Sequence, residues 1–231
     1  MKVKVSVKVL AVPPNQVFAE LKVGADNLRL TVYQPWHPER WRVEAFIARR
    51  FQQMHGAIIT QFLPCLISLE DQAGNILAAV GIRSAHTGPL FLEQYLVRPI
   101  EQELKTFTGV HCGRRDVIEL GNLAGNVRGI GRCFIAVLSD ALMIWGIHWL
   151  VCTGTLEVSN IFRRLNITPL PLAAARREQL RDGHAQWGSY YERQPVVMAG
   201  DLRLAAEDVR RQGYLSRYHY RRLETDNVFI A

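Results

Sequence analysis

Glu119 is the one acid in the apolar run Val117, Ile118, Glu119, Leu120, which leads into a glycine-rich loop: VIELGNLAGNVRGIGRCF. Burial penalises the charged form of a carboxylate, so an acid in such a setting has its pKa raised toward that of a working general base. A buried acid is just as readily paired with a nearby arginine, here Arg114 or Arg115, and the sequence leaves both readings open. Three residues on, Asn122 offers an amide that either holds a substrate carbonyl or ties its own loop through an Asx-type bond. The loop itself comprises Asn126, Val127, Arg128, Gly129, Ile130, Gly131 and Arg132. Its glycines permit positive φ and let a ligand approach backbone N–H groups with no Cβ in the way. Those donors, the positive end of the helix that follows, and the charges of Arg128 and Arg132 together suit a pyrophosphate. The same residues also make an ordinary strand-to-helix turn, because neither GxxxxGK[ST] nor GxGxxG is present.

A second group lies downstream. Tyr190 and Tyr191 follow Trp187 and Gly188. They are candidates to line an acyl or amine pocket, one hydroxyl serving as a proton donor, and the alternative is an aromatic cluster packed in the core. The histidines show no HxxxH or HExxH spacing, so no metal is expected, and no GxSxG elbow marks a serine hydrolase. The run RRQGYLSRYHYRR at 210 to 222 reads as a solvated basic helix. It admits peripheral membrane contact, and no nucleic-acid partner is expected.

The elements that would position these residues follow from hydrophobic period and turn chemistry. Strands are expected at Lys2 to Val12, Val17 to Val23 and Leu28 to Tyr33, with PPN and GADN between them. An amphipathic helix lies in the segment after Pro35 and ends at Gly56. Cys65 to Asp71 and Ile76 to Ile82 form a hairpin around DQAGN. FLEQYLVRPIEQELKTFTG is one helix interrupted or restarted near Pro99, since proline lacks the N–H donor. Then come a strand from Arg114 to Leu120, the glycine loop, a long apolar helix from Gly131 to about Gly146, a strand from Trp149 to Thr155 and a helix from Glu157 to Leu165. A strand–helix–strand crossover of this kind sets its two strands parallel. The last sixty or so residues read as elements appended to the core, with a basic helical tail from Asp201 to Leu223.

The chain has 231 residues, of which 48% are hydrophobic and 21% charged, a composition that favours a folded core over disorder. Its first residues alternate Lys or Ser with Val, as a half-buried strand does and a signal peptide does not, so a cytoplasmic protein is expected. The apolar stretch Cys133 to Leu156 approaches the ~20 residues of a membrane span. Asp140, His148 and the break at Thr153 to Thr155 favour a buried helix and strand instead. Four scattered cysteines form no CxxC pair and read as reduced thiols. The net charge of +7 implies attraction to something acidic.

Asn126, Gly129 and Gly131 stand at the spacing [Gln/Arg]-x-x-Gly-x-[Gly/Ala], and the order of elements over residues 36 to 168 agrees, so this part resembles the GNAT acyltransferase superfamily. The resemblance implies a mixed, mostly antiparallel twisted α/β sheet flanked by helices, with a β extension at 1 to 35 and a helical extension at 169 to 231 packed on the core. It further implies that the loop cradles the pyrophosphate of acyl-CoA or the phosphopantetheine of an acyl carrier protein. Asn160, Phe162, Arg164 and Leu165 look like a degraded form of the superfamily's Asn-to-Tyr helix, lacking its thiol-protonating tyrosine. FLEQYLVRPIEQEL, VIELGNLA and WGSYYERQPVVMAG, in that order, resemble the thermostable hemolysin family. The layout is also similar to acyl-homoserine lactone synthases and N-acyl amino acid synthases. These resemblances imply an N-acyltransferase drawing on a carrier-bound or coenzyme A thioester, with a small amino acid-like amine as acceptor and an acidic carrier protein as partner. The rival expectations are a membrane-active hemolysin and a catalytically silent thioester-binding module.

Overall fold

The structure, a computed structural model, describes residues 16–126, 129–181 and 187–223. The expected strand Lys2 to Val12 and two loop residues, Val127 and Arg128, lie outside the described residues. The elements are β1 (Gln16–Val23), β2 (Asp26–Tyr33), α1 (Arg40–His55), β3 (Cys65–Asp71), β4 (Ile76–Ser84), α2 (Ile100–Thr108), β5 (Val117–Gly125), α3 (Ile130–Ile144), β6 (Trp149–Gly154), α4 (Leu156–Arg164), β7 (Leu170–Ala174), β8 (Val196–Asp201), α5 (Leu202–Arg211), α6 (Tyr214–Arg217) and β9 (Arg221–Arg222). They build one nine-stranded sheet in the order β7-β8-β6-β5-β4-β3-β2-β1-β9. Only β5 and β6 run parallel, as expected for strands joined through a helix.

Local chemistry accounts for these boundaries. β1 and β2 turn through two residues, Gly24 and Ala25, with Gly24 at φ 63. α1 stops where Gly56 adopts the left-handed conformation and its N–H closes on the Gln52 carbonyl at 2.9 Å. The run before Pro99 is a single 3-10 turn, Phe91–Tyr95, and the true helix α2 begins just after the proline.

Helices cover both faces of the sheet. On one, α3 lies against β4, β5 and β6, backed by α5 and α6, and its Phe134 and Val137 are fully buried. Truncating Phe134 to alanine would cost roughly 3–5 kcal/mol. The polar residue that argued against a membrane span, Asp140, is 6% exposed and paired with Arg210 of α5 at 2.7 Å. α3 is therefore apolar because it is enclosed, and no helix among the described residues is long and apolar enough to cross a membrane. On the other face, Val43, Phe46 and Ile47 of α1 pack over Tyr33, Leu66 and Ala79. Ile100 and Leu104 of α2 join Leu92 and Tyr95 over Val117, Val151 and Val197.

The sheet continues past the segment boundaries drawn from the sequence. β8 pairs antiparallel with β6 from Trp149↔Asp201 to Gly154↔Val196, and β7 pairs with β8 at the sheet edge. Residues 169 to 201 thus contribute strands to the main sheet, and among the described residues the α-helices of the C-terminal part are α5 and α6. The basic tail ends in β9, which pairs with β1.

Candidate active site

β5 and β6 pair over four positions, Val117↔Trp149 to Leu120↔Cys152, and then part. β5 runs on to Gly125 beside β4, while β6 runs on to Gly154 beside β8. The separation begins at a bulge. Gly81↔Gly121 and Ala79↔Ala124 leave Asn122 and Leu123 opposite Val80 alone, which bends β5 and increases its twist. Asn122 accommodates the bend at φ 51, a left-handed value that asparagine tolerates better than most residues. The result is a cleft between two parallel strands at their carboxyl ends, where open α/β sheets bind ligands.

Asn122 is spent on its own scaffold. Its Oδ1 accepts the Leu63 N–H at 2.9 Å, pinning the loop between α1 and β3 across the bulge. That loop lies close: a Cβ on Gly81 would come 2.9 Å from Leu63 Cβ, and one on Gly121 would come 3.0 Å from Leu63 Cδ1. The tie runs to a segment 59 residues away and not within the residue's own loop, as an Asx-type bond would.

Glu119 is 3% exposed. Its two oxygens accept the backbone N–H groups of Phe91 and Leu92, each at 2.9 Å. Burial pushes its pKa above the ordinary carboxylate value, and the two N–H bonds oppose that without cancelling it. Arg114 does not pair with it. The Arg114 guanidinium instead bridges Glu93 and Glu101, both at 2.7 Å, and holds the carbonyls of Ala85 and Gly88. Arg114 thus clamps the segment that Glu119 grips.

At the far end of β5, Asn126 is tied to the start of β4, its N–H to the Leu77 carbonyl at 3.0 Å and its amide to the Ile76 carbonyl at 3.3 Å. Gly129 caps α3 at φ 85, and no side chain caps the helix. By helix geometry the first N–H groups of α3, at Ile130 and Gly131, have no carbonyl partner within the helix, the arrangement that lets a helix start receive an anion. Gly131 sits beneath α4, where a Cβ would be 3.1 Å from Ile161 Cδ1. Arg132 lies close enough to Tyr218 for its charge to oppose the burial that raises the Tyr218 pKa. Six residues of β5 separate Glu119 from Asn126, roughly 20 Å of strand.

Tyr190 and Tyr191 belong to a short segment that docks on the end of α1. The Ser189 N–H donates to the His55 carbonyl at 2.8 Å, and Gly188, at φ 51, passes so close that any Cβ would strike the same oxygen. The Tyr190 hydroxyl donates to the carbonyl of Thr153, just past the last β5–β6 pair, at 3.2 Å. The Tyr191 hydroxyl pairs with that of Tyr95 at 2.5 Å. Their rings, with Trp187, Phe91, Phe51 and His55, form one aromatic cluster. Burial raises all three tyrosine pKa values, and the charge of Glu119 adds to the rise at Tyr95. These hydroxyls are protonated donors at neutral pH. Burial, with Arg193 adding to it, lowers the pKa of His55, whose ring is therefore neutral.

The structure thus gathers Glu119, Tyr190 and Tyr191 at one end of the cleft and Asn126, Gly129, Ile130 and Gly131 at the other, with Asn122 shaping the bend between. Sequence reasoning missed Tyr95 and Thr153 as parts of this assembly, and it named Arg114 only as a partner of Glu119. Tyr95 lay in a run read as helix, and its link to Tyr191 spans 96 residues.

Solved structures with a similar fold include acyl-homoserine lactone synthases and an N-acyl amino acid synthase. The acyl-homoserine lactone synthase LasI superposes with TM-score 0.52 at 14% identity, covering 77% of this chain and 91% of its own. FeeM, an N-acyl amino acid synthase from uncultured soil microbes, gives 0.51 at 11% identity over 78% of this chain and 95% of its own. BjaI, a CoA-dependent acyl-homoserine lactone synthase solved with SAM and isopentyl-CoA, gives 0.52 at 11% identity over 84% and 89%. A model of the thermostable hemolysin family matches residues 33–206, and the chain belongs to that family. Among curated proteins, none matches it.

Proposed function

We propose that this protein is an acyltransferase that moves an acyl group from a coenzyme A or carrier-protein thioester to an amine, an amino acid-like acceptor being the candidate. The observation that carries the proposal is the cleft itself. Its anion-ready helix start and its acid–tyrosine cluster are separated by roughly 20 Å of strand, which suits a donor whose reacting carbon is held far from its phosphate on an extended arm. The backbone edges that β5 and β6 no longer offer each other can pair with the amides of such an arm, as an added strand would.

In this reading the neutral amine attacks the thioester carbonyl, the C–N bond forms and the C–S bond breaks. Glu119 takes the proton released by the amine, directly or through water, and its raised pKa suits that task. The thiolate leaves and takes a proton from a tyrosine hydroxyl, Tyr190, whose hydroxyl lies on the Thr153 carbonyl just past the last β5–β6 pair, being the candidate. Tyr191 and Tyr95 hold the aromatic wall.

The test is to incubate pure protein with acyl-CoA or acyl-carrier thioesters and an amino acid pool, following thiol release and N-acyl products by mass spectrometry. Product that requires both donor and amine supports the reading. Thioester binding without turnover points to a silent binding module. Dye release from liposomes by the protein alone, with no acyl product, points to a membrane-active protein, and either outcome overturns the proposal.

A further inference from the structure

Outside the cleft, the outer face of α1 and the β3–β4 hairpin enclose an open groove of about 550 Å³, lined by Trp41, Arg42, Arg49, Arg50, Gly74 and Asn126 among others. The α1 residues that line it run from position 41 to position 53, about 18 Å along the helix axis. Its cations are little committed. Arg42 is fixed by the Gly74 carbonyl at 2.6 Å and by Glu39 at 3.4 Å, whereas Arg49 and Arg50 make no ion pair among the described residues. The Arg50 guanidinium bonds only the neutral Gln53 amide. Asp71, the acid of the nearby hairpin, accepts both the N–H and the side-chain amide of Asn75. Trp41, 65% exposed at one end of the stripe, offers a large apolar anchor. The other wall ends at Asn126, the first residue of the glycine loop.

We infer that this groove docks an acidic helix of a carrier protein that delivers the thioester. The inference rests on the acyl-transfer reading above and chooses between its two donors. A linear basic stripe matches the length and charge of about three helical turns bearing carboxylates, which a groove-bound helix would present along one face. Asn126, in the groove's other wall, stands three residues before Gly129, the cap of the helix whose start would hold the arm's phosphate. Free coenzyme A has no need of so long a stripe. The net charge of +7 adds long-range attraction for an acidic partner.

The test compares wild type with Arg49→Glu and with the Arg49→Glu/Arg50→Glu double variant. Turnover is measured with a purified acyl carrier protein loaded with a saturated acyl chain and with the matching acyl-CoA, and carrier binding is measured separately by fluorescence anisotropy. Circular dichroism confirms folding, and Arg49→Glu, on an exposed side chain, serves if the double variant is unstable. The expected result is a rise of about tenfold or more in the KM and Kd for the carrier, with acyl-CoA turnover changed less than about twofold. Added salt should weaken carrier binding by wild type more than by the double variant. Carrier binding and carrier KM that survive charge reversal overturn the docking site. So does wild-type protein that turns over acyl-CoA without binding the carrier. Wild type that uses neither donor overturns the acyl-transfer reading instead, and the anisotropy measurement still decides the docking site.

Discussion

Glu119 holds Leu92 by its backbone: Oε1 accepts the Leu92 N–H at 2.9 Å while Oε2 takes that of Phe91. The acid therefore organises the chain opposite the cleft, and a test of its role as base must separate the two tasks. In Glu119→Gln one oxygen becomes an amide NH2 facing a backbone N–H, so stability should fall by ~1–3 kcal/mol. Because the folded pKa is raised, the base form is present above that value and lost as pH falls through it, and the kcat/KM profile should show that acid limb. The stability contribution runs oppositely, full below the ordinary carboxylate pKa and lost as pH rises through the folded value. At a temperature where the variant is fully folded, its residual rate should be lower and lack the limb. A variant that keeps both rate and limb makes Glu119 an anchor only.

Arg114 and Glu93 should dominate the acid sensitivity of the same segment. Burial alone would raise the Glu93 pKa, but Arg114 and the N–H groups of Ile100 and Leu90 outweigh it and hold the carboxyl below its usual range. A depressed pKa stabilises the fold above the unfolded value and loses that contribution as pH falls through the folded one. Denaturant titrations from neutral pH to below the ordinary glutamate pKa should show this loss in wild type and less of it in Glu93→Gln. Arg114→Met strands a nearly buried carboxylate and should cost ~2–3 kcal/mol at neutral pH. Equal acid sensitivity in wild type and Glu93→Gln would remove Glu93 from this account.

Asn122 does two jobs that substitution can divide. Glycine keeps the positive φ but drops the tie to Leu63, whereas alanine loses the tie and also strains the bulge. Asn122→Gly should therefore be destabilised by the stranded Leu63 N–H, ~1–3 kcal/mol, and Asn122→Ala by a further ~1 kcal/mol. Chemical denaturation measures both. Equal stability of the two variants would mean that the backbone conformation at 122 carries no strain.

How much of this was legible beforehand divides along physical lines. The strand, glycine loop and apolar helix around 117 to 144 could be read because turn residues and hydrophobic period are local signals, and the parallel pairing followed from the crossover. The parting of β5 and β6 could not, since it depends on which β4 residue faces the bulge, a matter of register between strands. β7 gives little strand signal in the sequence, since Pro171 stands within it and Pro169 just before it. An edge strand tolerates proline, and the pairing of β7 shifts register between Pro171 and Ala173. Glu119 and the tyrosines were picked out by residue type. That Tyr190 meets Thr153 and Tyr191 meets Tyr95 is set by tertiary contacts between distant segments.

Tyr190 offers the sharpest separation of chemistry from packing. Its ring packs on His55, Trp187 and Tyr191, contacts that phenylalanine preserves, so Tyr190→Phe should lose only the bond to the Thr153 carbonyl, about 1 kcal/mol of stability. Burial keeps the hydroxyl protonated at neutral pH but makes it a weaker acid, so its help to a departing thiolate requires it to turn from the Thr153 carbonyl and share its proton as the charge develops. That help matters only when the thiolate is a poor leaving group. With an alkyl thioester of ordinary thiol pKa, kcat should drop by about 10²-fold or more, the usual scale of general acid catalysis. With an aryl thioester, whose acidic thiol leaves unprotonated, the same variant should keep nearly its full rate. A structural role would slow both donors alike. A parallel drop therefore assigns Tyr190 to the aromatic wall, and a drop confined to the alkyl donor assigns its hydroxyl to the proton transfer.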